Sequence, residues 1–128
     1  MTDKQIEYRN LLEHYREKRQ WIKVAYNEYK SSSNIDGLPK GKGYKVSYRM
    51  EELIDSVQNL EEKLDTILLL INKLSPIYQD ILQKRFIQGM SHKDISEEKD
   101  VDLDRVYHLI SNAKKEFTDL VKSGEKTK

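Results

Sequence analysis

The stretch Leu74–Phe117, LSPIYQDILQKRFIQGMSHKDISEEKDVDLDRVYHLISNAKKEF, decides the fold. Its periodicity predicts three consecutive helices joined by tight turns, the middle one very short. Ser75 followed by Pro76 supplies a helix start, because proline at the first helical position gives up an N–H that has no intrahelical partner anyway. Ile77, Ile81, Leu82 and Phe86 then recur at helical spacing, and Gly89 stands where a left-handed residue would end that helix. Ser91, with Asp94 three residues on, caps the next helix, whose one strong apolar anchor is Ile95. Asp102 is placed to cap the third, whose inward stripe is Val106, Leu109, Ile110, Ala113 and Phe117. Ala113 is small where two helices would cross closely. Such a layout is a helix-turn-helix, in which one helix braces and the next can enter a DNA major groove.

Upstream, Met50, Leu53, Val57, Leu60, Leu64, Ile67, Ile71 and Leu74 step by threes and fours, with Ile54 and Leu68 widening the face. Tyr8, Leu11, Tyr15, Ile22, Ala25 and Tyr29 keep the same stepping, interrupted by Lys18, and Trp21 lies beside them. Bulky amphipathic side chains of this kind suit a helix–helix or subunit interface better than a ligand pocket. The expectation is an all-α chain: a long, coiled-coil-like N-terminal helical hairpin over 1–74, a helix-turn-helix over 75–121, and a disordered tail over 122–128. The hairpin seams can close within one chain or pair two chains as a homodimer. Ser31–Val46, SSSNIDGLPKGKGYKV, reads as the connector, since Ser, Asn, Gly and Pro at this density break a helix. Its Lys40, Lys42 and Lys45 make it locally basic and able to approach phosphates. It lacks the spacing of a nucleotide-binding phosphate loop, and a solvated connector is the plainer reading.

Composition bounds the function. The chain has 128 residues, of which 35% are charged, only two prolines, and a net charge of +1. That length holds one domain or two small helical parts and not a large catalytic core. Near-neutral charge predicts modest non-specific DNA affinity unless the cations cluster. With no cysteine there is no disulfide, thiolate nucleophile or thiolate metal site. MTDKQIEYRN is charged from its start and does not read as a signal peptide, and no apolar run is long enough to span a membrane. The expectation is a cytoplasmic protein with no membrane partner. His14, His92 and His108 are scattered on three predicted helices with no carboxylate at ligand spacing, each reading as a polar surface residue. Glu51–Glu52, Glu61–Glu62 and Glu97–Glu98, with Gln5, Glu7 and Glu13, read as wet outer faces of helices. No enzyme, cofactor or metal site is expected.

The run Leu82, Arg85, Phe86, Gly89, Met90, Ser91, Asp94, Ile95, Ser96, Val101, Asp102, Val106 and Ala113 resembles the region-4 pattern of sigma factors and related phage regulators. With the linker Gly37–Gly43 and the Ser47, Tyr48 and Arg49 that follow it, Trp21–Phe117 resembles the small phage transcriptional regulators of the ArpU/RinA type. The resemblance implies binding of double-stranded phage or prophage DNA to regulate transcription, late genes in particular, with host RNA polymerase as a further partner. The chain departs from the pattern at Lys99, where an apolar residue is usual, and at Asp100, where glycine is common. The third helix opens with Leu103, Asp104, Tyr107 and His108, and Arg105 is its only strong cation in the first turn. On this reading Arg105, His108 and Asn112 face bases, while Lys93, Lys114 and Lys115 hold phosphates. The plainer alternative pairs Arg105 with Asp102 or Asp104 and half-buries Tyr107. Two other functions fit the same helices. One is a mobile-element inhibitor or adaptor gripping a host protein, which the acidic Asp100, Asp102 and Asp104 favour. The other is a DNA-packaging protein like a terminase small subunit, although there the DNA-binding part usually comes first.

Overall fold

The computed structural model describes the backbone of residues 1–33 and 40–126 and the side chains of residues 1–28 and 51–123. Six α-helices are present among the described residues: α1 (Asp3–Glu13), α2 (Tyr15–Ser33), α3 (Lys40–Ile71), α4 (Pro76–Leu82), α5 (His92–Lys99) and α6 (Leu103–Lys126). A π-helical turn, Gln83–Ile87, extends α4. The chain is all-α, with a helix-turn-helix in its C-terminal part.

The hairpin consists of α2 against α3. Val57, Leu64, Ile67 and Ile71 bury one side, and Ile22 and Ala25 face them from the other. Polar contacts tie the outside of the pair. Arg19 donates to Asp65 at 2.7 Å and to the Tyr15 hydroxyl at 2.8 Å, and the Tyr26 hydroxyl donates to Glu61 at 3.2 Å. The first apolar seam does not stay in this hairpin. The helix breaks at His14 (φ −114°, ψ 24°), and α1 turns away to lie along α6 while still touching α3. Packing on two sides explains why Leu12, outside the simple stepping, is fully buried beside Tyr8, Leu11 and Tyr15. One core therefore runs from Tyr8 through Leu64 and Ile81 to Phe117 and Val121. The turn at Leu74–Ser75 does not interrupt it.

Two ranges read differently from the sequence. The helices reach into the stretch taken as a connector: α2 continues to Ser33 and α3 begins at Lys40, while 34–39 lie outside the described residues. Gly41 and Gly43 cost a helix only ~1 kcal/mol each against alanine, which does not stop it as a proline would. The tail expected from 122 is helical as far as Lys126. Tyr29 and the basic Lys40, Lys42 and Lys45 belong to the range whose side chains are not described. No described helix is long and apolar enough to cross a membrane.

Candidate nucleic-acid interface

Each boundary of the helix-turn-helix has a local cause. Pro76 opens α4, and the Gln79 side-chain amide donates to the carbonyls of Asn72 (2.9 Å) and Leu74 (2.7 Å), closing the turn that leads into it. The expected serine cap at Ser75 makes no bond to the helix backbone; its hydroxyl faces Glu116 instead, at 3.5 Å. Gly89 is left-handed (φ +78°), as its position implied, and the Arg16 side chain lies directly over it. Ser91 accepts the Asp94 N–H at 3.0 Å and so starts α5. Asp100 ends α5 in the left-handed region (φ 56°, ψ 50°), a conformation that Asp tolerates better than most side chains. The Asp102 carbonyl accepts the first hydrogen bond of α6, from Val106.

Beneath this surface, α5 is held in two ways. Ile95 is its one buried apolar side chain and is fully enclosed. An ion-pair chain joins the end of α5 to α4: Lys84 bridges Asp80 (3.2 Å) and Glu98 (2.7 Å), and Lys99 pairs with Asp80 from the other side. Burial opposes ionisation of Asp80, but hydrogen bonds from Lys99 and Lys84 and their charges outweigh it and hold its carboxyl below the usual range. For Lys84, the hydrogen bond to Glu98 raises the pKa; burial opposes this, and Asp80 adds to it. Lys99 thus replaces the usual apolar residue with a clamp. Glu98 and Glu61, read as wet outer-face acids, have specific partners, as does Glu7, which accepts from Lys63 at 2.8 Å.

On α6, Arg105, His108 and Asn112 are all exposed and, at spacings of three and four, share one side of the helix. Arg105 makes no ion pair within 4.0 Å among the described residues, so the anticipated pairing with Asp102 or Asp104 is absent from the structure. Lys115 follows one turn after Ser111 and is also exposed; Lys93 projects from the first turn of α5. Lys114 differs from the rest. It lies on the side of α6 turned toward α1, half-buried, with its ammonium 3.7 Å from Glu13.

Sequence reasoning missed several residues here. Tyr107 is 52% exposed, yet its ring stacks on His92 with centroids 4.3 Å apart and planes 18° from parallel. Burial, then the positive charges of Arg85 and Lys114, depress the His92 pKa. Gln5, taken for surface, is 4% exposed. Its oxygen accepts the Thr2 N–H at 2.8 Å, completing the α1 cap, while its amide donates to the Thr118 carbonyl of α6 at 3.0 Å. Arg9, on the same helix, lines a groove with Lys114 and Lys115. A glutamine at the third position of a helix signals a capping box, but nothing local signals a partner on α6.

No curated protein and no solved structure matches the chain. Residues 64–117 match the family model described as Sigma-70, region 4. The match starts within α3, consistent with Leu64, Ile67 and Ile71 contributing to the same core as α4 and α6. Scaffold and match agree: the segment from the end of α3 to the middle of α6 is a sigma-70 region-4-like helix-turn-helix, the fold of a DNA-binding family.

Proposed function

We propose that this protein regulates transcription from phage or prophage DNA, as a regulator of the ArpU/RinA type acting on late genes, by laying the start of α6 in the major groove. The carrying observation is the exposed Arg105, His108 and Asn112 side of α6 within the region-4-like segment, with Arg105 uncommitted to any acid among the described residues. Arg105 has the bidentate geometry that suits the O6/N7 edge of guanine, and Asn112 suits adenine. Lys93, Lys114 and Lys115 hold the flanking phosphates and set register without reading sequence. Host RNA polymerase is the second partner in this scheme. The test is a fluorescence-anisotropy titration against fragments from upstream of the genes of the source genome, at two salt concentrations, with random DNA as control. Tight binding to one fragment that survives higher salt supports a sequence-specific regulator; equal, salt-sensitive binding to every fragment removes the base-reading role.

A second reading has its own observation. Leu103 and Tyr107 are 44% and 52% exposed, and they stand beside the exposed acids Asp100, Asp102 and Asp104. An apolar patch with acidic neighbours repels phosphate and suits a basic protein surface, the arrangement of an adaptor for a host protein. Recovery of a single stoichiometric host protein in the absence of DNA, lost on Tyr107→Ala, would favour it over the regulator.

A further inference from the structure

We infer that α1, more than a hundred residues away in sequence, supplies the second wall of a phosphate site: Arg9 joins Lys114 and Lys115 of α6 in gripping the DNA backbone beside the bases that α6 reads. The inference rests on the DNA-binding reading above and extends it to a helix outside the region-4-like segment.

The groove runs between the two helices, with Arg9 on one side and Ser111, Lys114 and Lys115 on the other. It is continuous with the reading side of α6: Ser111 also borders the shallow depression that holds Asp104, Tyr107 and His108. α1 docks on α6 where the Gln5 amide reaches the Thr118 carbonyl, and Arg105, His108 and Asn112 stay exposed. A duplex lying on the first turns of α6 therefore finds this groove at its flank. The position of Arg9 is set by the Gln5 amide bonded to the Thr118 carbonyl, one turn away on α1, so the cation is carried on a docked helix.

The charges suit an anion that arrives rather than one already in place. Glu13 is shared by Arg9 at 3.5 Å and Lys114 at 3.7 Å, distances at which exposed pairs contribute little. Lys115 has no acidic partner within 4.0 Å among the described residues. Glu13 and Asp119 are the acids at this site, and the three cations outnumber them. A phosphodiester would draw Arg9 and Lys114 from Glu13 and release counterions, which gives a measurable salt signature.

Arg9→Ala, Arg9→Lys and Glu13→Gln in the full chain provide the test, each first shown by circular dichroism to melt as the wild type does. Affinity for a bound fragment and for random DNA is measured by anisotropy across a salt series. Arg9→Ala is expected to weaken both by a similar factor, about three- to tenfold, and to make the slope of log K against log salt shallower by about 0.9, one phosphate contact. Arg9→Lys should retain the slope, and Glu13→Gln should bind more tightly, which a merely structural role would not produce. If wild-type protein binds DNA while Arg9→Ala leaves affinity and slope unchanged, the groove is overturned and the α6 reading stands. If wild-type protein binds no DNA at any salt, both fall.

Discussion

Replacing Ile95 by alanine should destabilise the whole molecule, with a size that follows from its position. Ile95 is fully buried, and every other described side chain of α5 is exposed or half-exposed, so its branch carries the apolar attachment of that helix. Three carbon groups are removed, which at ~0.8 kcal/mol each is roughly 2.4 kcal/mol of lost transfer energy. The cavity term raises the total into the range of about 2–5 kcal/mol seen for such truncations, and about 3 kcal/mol is the expectation here because the ion pairs Lys84–Glu98 and Lys99–Asp80 keep α5 from collapsing into the space. Against a domain stability of about 5–15 kcal/mol this is a large fraction. Urea denaturation followed by far-ultraviolet circular dichroism measures it. With a slope of about 1–3 kcal/mol/M, the midpoint should fall by ~1–3 M while the slope stays constant. Leu69→Ala, at a residue 63% exposed, is the control and should shift stability by no more than ~0.5 kcal/mol. A loss under about 1 kcal/mol for Ile95→Ala would refute the reasoning, since α5 would then be held by its ion pairs and caps rather than by this side chain.

Three further outcomes follow from the same geometry. Gly89→Ala must place a Cβ at φ +78° and displace Arg16, and should cost about 1–2 kcal/mol in the same denaturation assay, with Arg16→Ala relieving little of it because the backbone carries the strain. Asp80→Asn removes the acid between Lys84 and Lys99 and should cost about 1 kcal/mol at neutral pH, allowing for the carboxylate being partly solvated; because folding lowers the Asp80 pKa, that contribution is present above the ordinary carboxyl value of 3.8 and is lost as pH falls through the folded value, so wild type and variant should converge in strong acid. His92 has the corresponding base behaviour: its folded pKa is depressed, the unfolded chain binds the proton more readily, and stability should fall as pH drops from the ordinary value of 6.5 through the folded one and then level off, a step that His92→Phe removes from thermal melts between pH 5 and 8 while keeping a ring against Tyr107.

What was legible in the sequence was local chemistry and periodic burial. Pro76, Gly89 and Ser91 mark helix ends through their own conformational and capping preferences, and the stepping from Val57 to Leu74 and from Val106 to Phe117 reports a face that must be buried. The exposed side of α6 followed from the same periodicity, which is why Arg105, His108 and Asn112 could be placed together. The path of α1 was not legible. The break at His14 carries no proline or glycine, and the contact that pins α1, Gln5 to Thr118, joins polar residues far apart in sequence. The chemistry of Lys114 puts it with Lys93 and Lys115, but that α1 half-buries it and forms a groove around it is visible only in three dimensions. The Lys84–Glu98 and Lys99–Asp80 pairs were hidden for the same reason, since charges on a helix surface look alike until a neighbouring helix selects among them.

The base-reading role of α6 is tested most directly by Arg105→Ala, measured by anisotropy on a specifically bound fragment and on random DNA at the same salt. Arg105 is exposed and makes no ion pair among the described residues, so its loss should leave the fold intact. The prediction is a loss of about 1–3 kcal/mol on the specific fragment and little change on random DNA, with Lys115→Ala weakening both alike. Equal losses on both DNAs for Arg105→Ala would contradict it, and would make this side of α6 a backbone-holding surface that does not read bases.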